Sequence, residues 1–274
     1  MKLAVTLITL PSLLVLTALF GHSWQPPNRR APVADGMWEI NDEFQGDTFT
    51  FVRIRYTSFD RRSGRRGRWS RWRTDYPDSD LNFSFRLQQL TSLKVNPTPV
   101  ILDLTDERLF KYPFIYLIEP GALLFSDEEV LALRHYLHNG GFLMVDDFWG
   151  EREWNNFYQQ IKRVFPSREP EEIPLEHDIF HCVYDLKEKP QVPSIQAAWQ
   201  GRGSGRTWER RDAIEPHYRG FFDDHGRLMA IVCHNTDLGD GWEREGVAEW
   251  YFREFSEKWA YPLGINIVTY AMTH

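Results

Sequence analysis

Short apolar runs recur along the chain and predict the strands of a buried sheet. Residues 49–56 (FTFVRIRY) alternate apolar and polar side chains with a period of two, which is typical of a strand with one face in water. Later runs are almost wholly apolar, as expected for strands covered on both faces. These runs are residues 99–104, 112–118, 142–145 and 228–233.

Segments between these runs predict helices. Apolar residues stand close to helical spacing over residues 80–93, and further helices are expected over 151–165 and 263–272. Another helix is expected to begin after Ser126, which forms a capping-box pattern with Glu129, and to end before the glycines at 140–141. Strands that alternate with helices predict an α/β fold, a three-layer sandwich with a mostly parallel sheet, as one domain over residues 47–274.

The N terminus carries an apolar run, residues 3–20, directly after Lys2. This pattern is typical of a secretory signal peptide, with cleavage after Ser23, but the run is also nearly long enough for a membrane anchor. We therefore expect a signal peptide or anchor over residues 1–23, which contacts the membrane, and a linker over 24–46. Both alternatives predict an extracytoplasmic protein, periplasmic or secreted. There, Cys182 and Cys233 either form a disulfide or are simply buried thiols.

Composition limits the function classes. Hydrophobic residues make up 42% of the chain and charged residues 26%, which excludes a disordered protein. The formal net charge of −7 argues against a nucleic-acid-binding protein. The charge is uneven, because residues 61–73 contain seven arginines interleaved with tryptophan. This Arg-rich segment is interpreted as a solvated, mobile loop or, as an alternative, one that docks on the acidic rest of its own chain. The competing hypothesis is binding of a polyanion.

Polar residues stand at the predicted carboxyl ends of the buried strands, where an open parallel sheet binds its ligands. These residues are Asp103, Glu119, Asp146, Asp147, His234, Asn235 and Asp237. Because the strand ends converge, the side chains predict a polar, ligand-binding crevice. The alternative is that they cap helices and bind backbone amides in the following turns.

The turn at residues 145–150 (VDDFWG) passes from a strand to a helix. A hydrolase with a nucleophile elbow has Ser or Cys between small residues in such a turn. Here Asp147 stands in that place, between the large residues Val145 and Trp149. Hydrolysis through a hydroxyl or thiol at this turn is therefore excluded.

Two segments offer metal ligands. His177 and His181 have the spacing of one helix face, but Pro174 flanks them and the Glu of zinc proteases is missing, so we expect a loop that places His177 against the crevice. Residues 235–243 (NTDLGDGWE) contain oxygen ligands for a hard cation without the spacing of a calcium loop, and we expect an ordered polar loop. No cofactor is expected.

Four segments together resemble the bacterial family called domain of unknown function 4159. They are residues 72–82 (WRTDYPDSDLN), 140–147 (GGFLMVDD), 234–242 (HNTDLGDGW) and 263–271 (LGINIVTYA). The resemblance runs from about residue 49 to residue 274 and implies a class I glutamine amidotransferase-like, flavodoxin-like fold, similar to trehalose-utilisation-like proteins. Two features depart from that fold family: no Cys stands at the elbow, so the glutaminase triad is absent, and Asp178 replaces a Pro. The family implies no activity.

The leading functional hypothesis is a non-catalytic domain that binds a ligand or protein partner in the cell envelope, with a glycan as the first ligand class. Asp75, together with the strand-end residues and His177, completes the crevice, and Trp72 or Trp149 supplies a stacking wall. The alternative is a hydrolase or lyase, with or without a metal, built on Asp146, Asp147, His177 and His234.

Overall fold

The computed structural model describes residues 48–60, 65–67 and 71–274. The predicted signal peptide or anchor (1–23), the linker (24–46) and part of the Arg-rich segment (61–64 and 68–70) lie outside the described residues. Within the described ranges, no helix combines the length and the apolar character needed to span a bilayer.

Twelve strands and seven α-helices make up the described chain. The strands are β1 (Thr48–Phe49), β2 (Val52–Ile54), β3 (Thr57–Asp60), β4 (Arg65–Gly67), β5 (Lys94–Val95), β6 (Val100–Leu102), β7 (Phe114–Ile118), β8 (Leu123–Leu124), β9 (Phe142–Asp146), β10 (Glu171–Glu172), β11 (His217–Phe222) and β12 (Leu228–His234). The helices are α1 (Asp78–Leu90), α2 (Asp127–His138), α3 (Gly150–Val164), α4 (Ile195–Gly201), α5 (Leu238–Glu243), α6 (Glu249–Tyr251) and α7 (Tyr261–Thr273), with a π-helix, Phe252–Ala260, between the last two.

The main sheet has seven strands in the order β10-β11-β12-β9-β7-β2-β6. The five strands from β12 to β6 pair in parallel, with Phe114 opposite Phe142 and Ile118 opposite Asp146 between β7 and β9. The strands β10 and β11 add an antiparallel edge, which the sequence pattern did not predict. The prediction of a mostly parallel sheet is confirmed.

Helices cover both faces of this sheet. On one face, α1, α5 and α7 bury residues such as Phe83, Trp242 and Leu263. On the other face, α2 and α3 bury residues such as Leu133 and Phe157. Each side chain of this size contributes about 1.5–3 kcal/mol when it is fully buried. The mixed α/β class predicted from the sequence is therefore confirmed.

The predicted capping box at the start of α2 is present. The Ser126 hydroxyl accepts a hydrogen bond from the Glu129 backbone N–H at 3.1 Å, and Glu129 Oε2 accepts one from the Ser126 N–H at 2.8 Å. Each bond satisfies a backbone donor that has no partner within the helix. The sequence therefore located the start of this helix correctly.

The prediction of one wet face for residues 49–56 was wrong. The segment divides into β1, β2 and the approach to β3, and β2 lies between β6 and β7 inside the sheet. Phe51 and Arg53 enter one buried face, whereas Val52 and Ile54 enter the other. Arg53 is 0% exposed, and a polar side chain at this position was misinterpreted as solvated. Of the two arginines in this segment, Arg53 and Arg55, only Arg55 reaches solvent, with 41% of its side chain exposed.

Both cysteines are free thiols, which excludes the disulfide alternative. The expectation of buried thiols is confirmed for Cys233, which is fully buried in β12, and was wrong for Cys182, which is exposed. The Cys182 thiol donates a hydrogen bond to the backbone oxygen of Asn266 at 3.2 Å.

Candidate functional site

Backbone conformation distinguishes four positions near the carboxyl end of the sheet. Within the described residues, the non-glycine residues with positive φ are Asp75 (64°), Glu119 (48°), Asp147 (55°) and Asn235 (61°). Glu119, Asp147 and Asn235 directly follow β7, β9 and β12. Left-handed conformations cost energy for residues other than glycine, and they concentrate at functional sites. All four residues belong to the crevice predicted from the sequence.

Three carboxylates meet in this crevice. Asp75, Asp147 and Asp237 each place a carboxylate oxygen within 4.8 Å of the oxygens of the other two. Asp147 and Asp237 are 8% and 4% exposed, and Asp75 Oδ2 is buried with no hydrogen-bond partner among the described residues. Hard divalent cations such as Ca²⁺, Mg²⁺ and Mn²⁺ prefer oxygen ligands of this kind. We call these three residues the acidic cluster.

Burial raises the pKa of each carboxyl group in the acidic cluster well above its ordinary value. Repulsion from a neighbouring acid is the next cause: Asp240 acts on Asp75, Glu119 acts on Asp147, and Asp147 acts on Asp237. A buried carboxylate keeps its charge only if an opposite charge compensates the loss of hydration. At neutral pH the cluster therefore requires protons or a cation.

A second acidic group adjoins the cluster through Asp75. Its other members are Asp240 and Glu243, whose oxygens also lie within 4.8 Å of Asp75 and of each other. Arg244 already pairs with both: its Nε lies 3.0 Å from Asp240 Oδ1 and its Nη2 lies 2.7 Å from Glu243 Oε2. Because Arg244 supplies a positive charge here, the acidic cluster has the greater need for a bound cation.

Arg53 on β2 fixes the segment that carries Asp75. Its Nη1 donates to the backbone oxygens of Trp72 (3.0 Å) and Thr74 (2.8 Å). Its Nη2 donates to Ser79 Oγ (2.9 Å), and its Nε donates to Asp80 Oδ2 (3.0 Å). Arg53 and Asp80 are both completely buried. The arginine therefore ties residues on both sides of Asp75 to the central strand.

Asp146 faces the start of α5 and holds it in place. Its Oδ2 accepts hydrogen bonds from the Tyr116 hydroxyl and from the Gly239 N–H, both at 3.0 Å. Burial raises the pKa of Asp146 to about 7. A Cβ atom at Gly239 would lie 2.6 Å from Asp75 Oδ2, so the absence of a side chain there allows Asp75 to approach α5.

Glu119 lies beside the acidic cluster and is paired with an arginine. Arg71 Nη1 lies 3.5 Å from Glu119 Oε2 and 3.5 Å from Glu153 Oε1. Burial raises the pKa of Glu119. Arg71 belongs to the Arg-rich segment, and its position matches the alternative in which that segment docks on acids of its own chain.

His234, the last residue of β12, has both ring nitrogens engaged in hydrogen bonds. A guanidinium can only donate, so Arg219 Nη1, at 3.2 Å, must donate to His234 Nδ1. The proton therefore resides on Nε2, which lies 3.3 Å from the backbone oxygen of Gly150. The ring packs against Phe148 and Trp154, with centroids 4.7 and 5.2 Å away. Burial and the nearby Arg219 lower the pKa of His234 to about 3, so the ring is neutral at physiological pH.

His177 lies at the opposite end of the sheet. Its ring centroid is 5.5 Å from that of Tyr270, which packs in turn against Phe142. Phe142 is the first residue of β9, whereas Asp147 follows the last. The structure therefore does not bring His177 to the crevice, contrary to expectation.

The segment around His177 and His181 forms a short 3₁₀ turn, Asp178–Phe180, instead of a helix face with two ligands. His177 Nδ1 accepts a hydrogen bond from the Ile179 N–H at 3.1 Å. Both ring nitrogens of His181 are engaged, with Asp185 Oδ1 at 2.7 Å and the backbone oxygen of Leu175 at 2.6 Å.

Asp103 and Asn235 are committed to structural contacts. Asp103 follows the edge strand β6 and forms a two-point ion pair with Arg55, at 2.8 and 2.6 Å. Asn235 accepts from the Gly150 N–H at 2.8 Å and donates to the backbone oxygen of Glu215 at 2.9 Å. Asn235 thus links the turn after β12 to the start of α3. This agrees with the alternative in which polar residues at the strand ends bind backbone groups in the following turns.

The two tryptophans proposed as a stacking wall have different positions. Trp149 is 3% exposed, and its indole N–H donates to Asp147 Oδ1 at 3.2 Å. Trp149 therefore orients a cluster carboxylate and does not offer an open face to a ligand. Trp72 is half-buried against the sheet, and the Arg73 guanidinium lies 5.8 Å from its ring centroid.

Sequence reasoning missed Arg53, Arg244 and Tyr116, which position or compensate the acids of the crevice. One signal was available for Arg53: a charged residue inside an apolar strand requires a buried partner, and Asp80 is an acid in the nearby segment 72–82. The roles of Arg244 and Tyr116 depend on contacts between distant parts of the chain.

The crevice lies within a region that matches a known family. The model of the family described as domain of unknown function (DUF4159) matches residues 50–272. The chain belongs to this family. The match confirms the family resemblance found in the sequence and includes all three residues of the acidic cluster. A comparison with curated proteins gives no match.

Proposed function

We propose that the protein is an extracytoplasmic ligand-binding domain whose acidic cluster binds one divalent cation. The observation that supports this proposal is the convergence of Asp75, Asp147 and Asp237, with a buried and unpartnered oxygen on Asp75. A divalent cation at their centre would turn mutual repulsion into attraction. The extracytoplasmic location is supported by the apolar run at residues 3–20.

We infer that the ligand is a hydroxyl-rich glycan or another fragment of the cell envelope. Ca²⁺ takes about six to eight oxygen ligands and Mg²⁺ about six, so three carboxylates leave positions for water and for ligand oxygens. Neighbouring hydroxyl groups on a sugar ring would fill such positions. The remaining negative charge of the crevice disfavours a strongly anionic ligand at this site.

We also propose that the domain is a flavodoxin-like relative of the class I glutamine amidotransferase-like fold. Numbered along the chain, the five parallel strands have the order 2-1-3-4-5, which is the flavodoxin-like order. The order reverses between β2 and β7, and Glu119 follows β7 at this switch point. Asp147 stands in a left-handed turn between β9 and α3, as a nucleophile does in an elbow.

A metal-assisted hydrolase is the second candidate, favoured by the elbow-like conformation of Asp147. A cation at the acidic cluster would lower the pKa of bound water. Asp147 would orient that water, and the half-buried Glu243, whose pKa is raised to about 7, is the nearby group able to exchange a proton at neutral pH. His177 and His234 have no part in this version, because of their positions and hydrogen bonds.

Isothermal titration calorimetry tests the proposal directly. Protein freed of metal by a chelator and then dialysed should bind one Ca²⁺, Mg²⁺ or Mn²⁺ per chain, and Asp147→Asn and Asp237→Asn should each weaken binding at least tenfold. Asp103→Asn is the matched control, since it removes a carboxylate from the same end of the sheet but outside the cluster. Absence of binding by all three cations, or equal losses in Asp103→Asn and Asp147→Asn, would contradict the proposal.

Glycan fragments then separate the two candidate functions. A binding domain should give a saturable, cation-dependent increase in melting temperature without any change in the fragment. A hydrolase should release shorter fragments in a cation-dependent reaction that Asp147→Asn abolishes, as detected by mass spectrometry. If the fragments are neither bound nor cleaved in the presence of the cation, both candidate functions are refuted for glycans.

A further inference from the structure

A second cleft, of about 650 Å³, lies between the segment around Gln191, the glycine-rich turn after α4, and α6 with the π-helix that follows it, which carry Trp250 and Trp259. Its volume is in the range of small-molecule sites. Four basic residues line it: Lys189, Arg202, Arg206 and Lys258. The acids in its lining are Glu188 and Glu254, and Lys189 also pairs with Glu172 outside the lining at 2.7 Å. Three basic residues against two acids remain, so the cleft is net positive in a chain whose formal charge is −7.

Two hydrogen-bond donors in this cleft lack acceptors. Arg206 Nε and Trp250 Nε1 are buried and have no hydrogen-bond partner within the described residues. An unsatisfied buried donor costs about 1–3 kcal/mol, so such groups call for an explanation. Both N–H groups are closed off from solvent, so a ligand reaches them only when the side chains turn toward the cleft, and it must then supply acceptor oxygens.

Aromatic rings supply the other part of the lining. Trp250, Phe255 and Trp259 border the cleft, and the Arg202 guanidinium lies 4.7 Å from the centroid of Trp250. Lys258 Nζ lies 4.5 Å from the centroid of Trp259. Flat aromatic groups beside cationic ones suit a ligand that combines an apolar ring face with negative charge.

We propose that this cleft is a second binding site, for an anionic sugar whose carboxylate or phosphate oxygens accept hydrogen bonds from Arg206 Nε and Trp250 Nε1 once these side chains turn toward the cleft. The C–H face of a pyranose ring would lie against the aromatic lining. Thr207 already donates to Gln191 Oε1 at 2.6 Å, so sugar hydroxyl groups would act there as donors to the oxygens of these two residues. This site differs from the acidic cluster in charge and in ligands, and its binding does not require a divalent cation.

Titration of the full chain in chelator, followed by tryptophan fluorescence and calorimetry, tests this proposal. The probes are tetragalacturonate for a carboxylate, glucose 6-phosphate for a phosphate, and neutral cellotetraose as the uncharged control. At least one anionic probe should bind saturably, and its binding should weaken as the salt concentration increases. Cellotetraose should not bind. Whichever anionic probe binds identifies the charged group. Binding of cellotetraose as tight as that of tetragalacturonate, or no binding of either anion, would overturn the proposal.

Two variants locate the site. Arg206→Gln should weaken binding of the anionic probe by about tenfold or more, and Trp250→Phe, which keeps a ring but removes the indole N–H, by several-fold. Arg253→Gln is the matched control, because Arg253 is exposed, pairs with Glu257 and does not line the cleft. Equal losses in Arg206→Gln and Arg253→Gln would show a general charge effect and refute the site. Melting temperatures verify that each variant is folded. Because chelator is present throughout, failure here is distinguishable from failure of the acidic cluster.

Discussion

Replacement of Arg53 by methionine is expected to destabilise the protein more than any change of an exposed arginine. Methionine retains the length of the side chain but removes the donors to Asp80, Ser79 and the backbone oxygens of Trp72 and Thr74. Asp80, which is 0% exposed, would then be a buried charge without an opposite charge, left with the hydrogen bond that Ser79 Oγ donates to its Oδ1 at 2.9 Å. Breaking a buried ion pair in this way costs about 3–5 kcal/mol.

This cost converts into a large shift in melting temperature. In a domain of this size, about 1 kcal/mol corresponds to roughly 2–4 °C, so Arg53→Met should melt roughly 6–20 °C below the wild type. Arg55→Met is the matched control on the same segment. Arg55 is 41% exposed and pairs with Asp103 at the surface, and its loss should cost about 1 kcal/mol or less.

Urea denaturation and calorimetry of a double-mutant cycle measure the pair itself. Asp80→Asn removes the charge that Arg53 compensates, so the double variant should be more stable than the sum of the single losses by about 1–3 kcal/mol. Equal losses in Arg53→Met and Arg55→Met, or strict additivity with Asp80→Asn, would refute the idea that Arg53 anchors the segment around Asp75.

Three further predictions concern the crevice and its supports. In chelator, the melting temperature should fall as pH rises from about 6 to 8, because the folded state holds protons on Asp146, whose pKa is raised to about 7, and on the acidic cluster more tightly than the unfolded chain does. This stability is lost as pH passes the folded pKa. Ca²⁺ should remove the part of the dependence that comes from the acidic cluster and leave the part that comes from Asp146, which lies outside the cluster. Gly239→Ala should cost about 1–3 kcal/mol in urea denaturation and weaken calorimetric cation binding, since its Cβ would meet Asp75 Oδ2 at 2.6 Å; unchanged affinity would contradict this. Ser126→Ala should cost about 1 kcal/mol through loss of the capping box and leave cation affinity unchanged.

The order of strands and helices could be predicted because each depends on a local pattern. The buried runs that became β6, β7, β9 and β12 were apparent without any knowledge of the partner strands. The antiparallel strand β11 was not apparent, because it pairs with β12 through backbone contacts that carry no sequence signature.

The sequence could predict those site residues that directly follow a buried parallel strand, because the direction of the strand decides at which end of the sheet they lie. Asp147 and Glu119 follow buried parallel strands, so the carboxyl-end rule found them. His177 follows no such strand, and its spacing from His181 did not show at which end of the sheet the loop would lie. Arg53 and Asp80, separated by 27 positions, form a pair that only the folded chain brings together.

Several predictions remain to be tested by experiment. The export signal and linker concern residues 1–46, which lie outside the described chain. The envelope ligand or partner stays a prediction. Binding of a polyanion concerns the Arg-rich segment, residues 61–73, of which 61–64 and 68–70 lie outside the described chain. The position of Arg71 against Glu119 and Glu153 supports internal docking for that arginine.

The most direct test of the account compares the melting temperatures of wild type and Asp147→Asn with and without a divalent cation. In chelator, the variant should melt higher than the wild type, because it removes one of three mutually repelling buried acids and retains the acceptor for the Trp149 N–H. With Ca²⁺ at about 100 times its dissociation constant, the wild type should gain about 2.7 kcal/mol and overtake the variant. An Asp147→Asn protein that is less stable in chelator and gains as much from Ca²⁺ as the wild type would contradict the cation site.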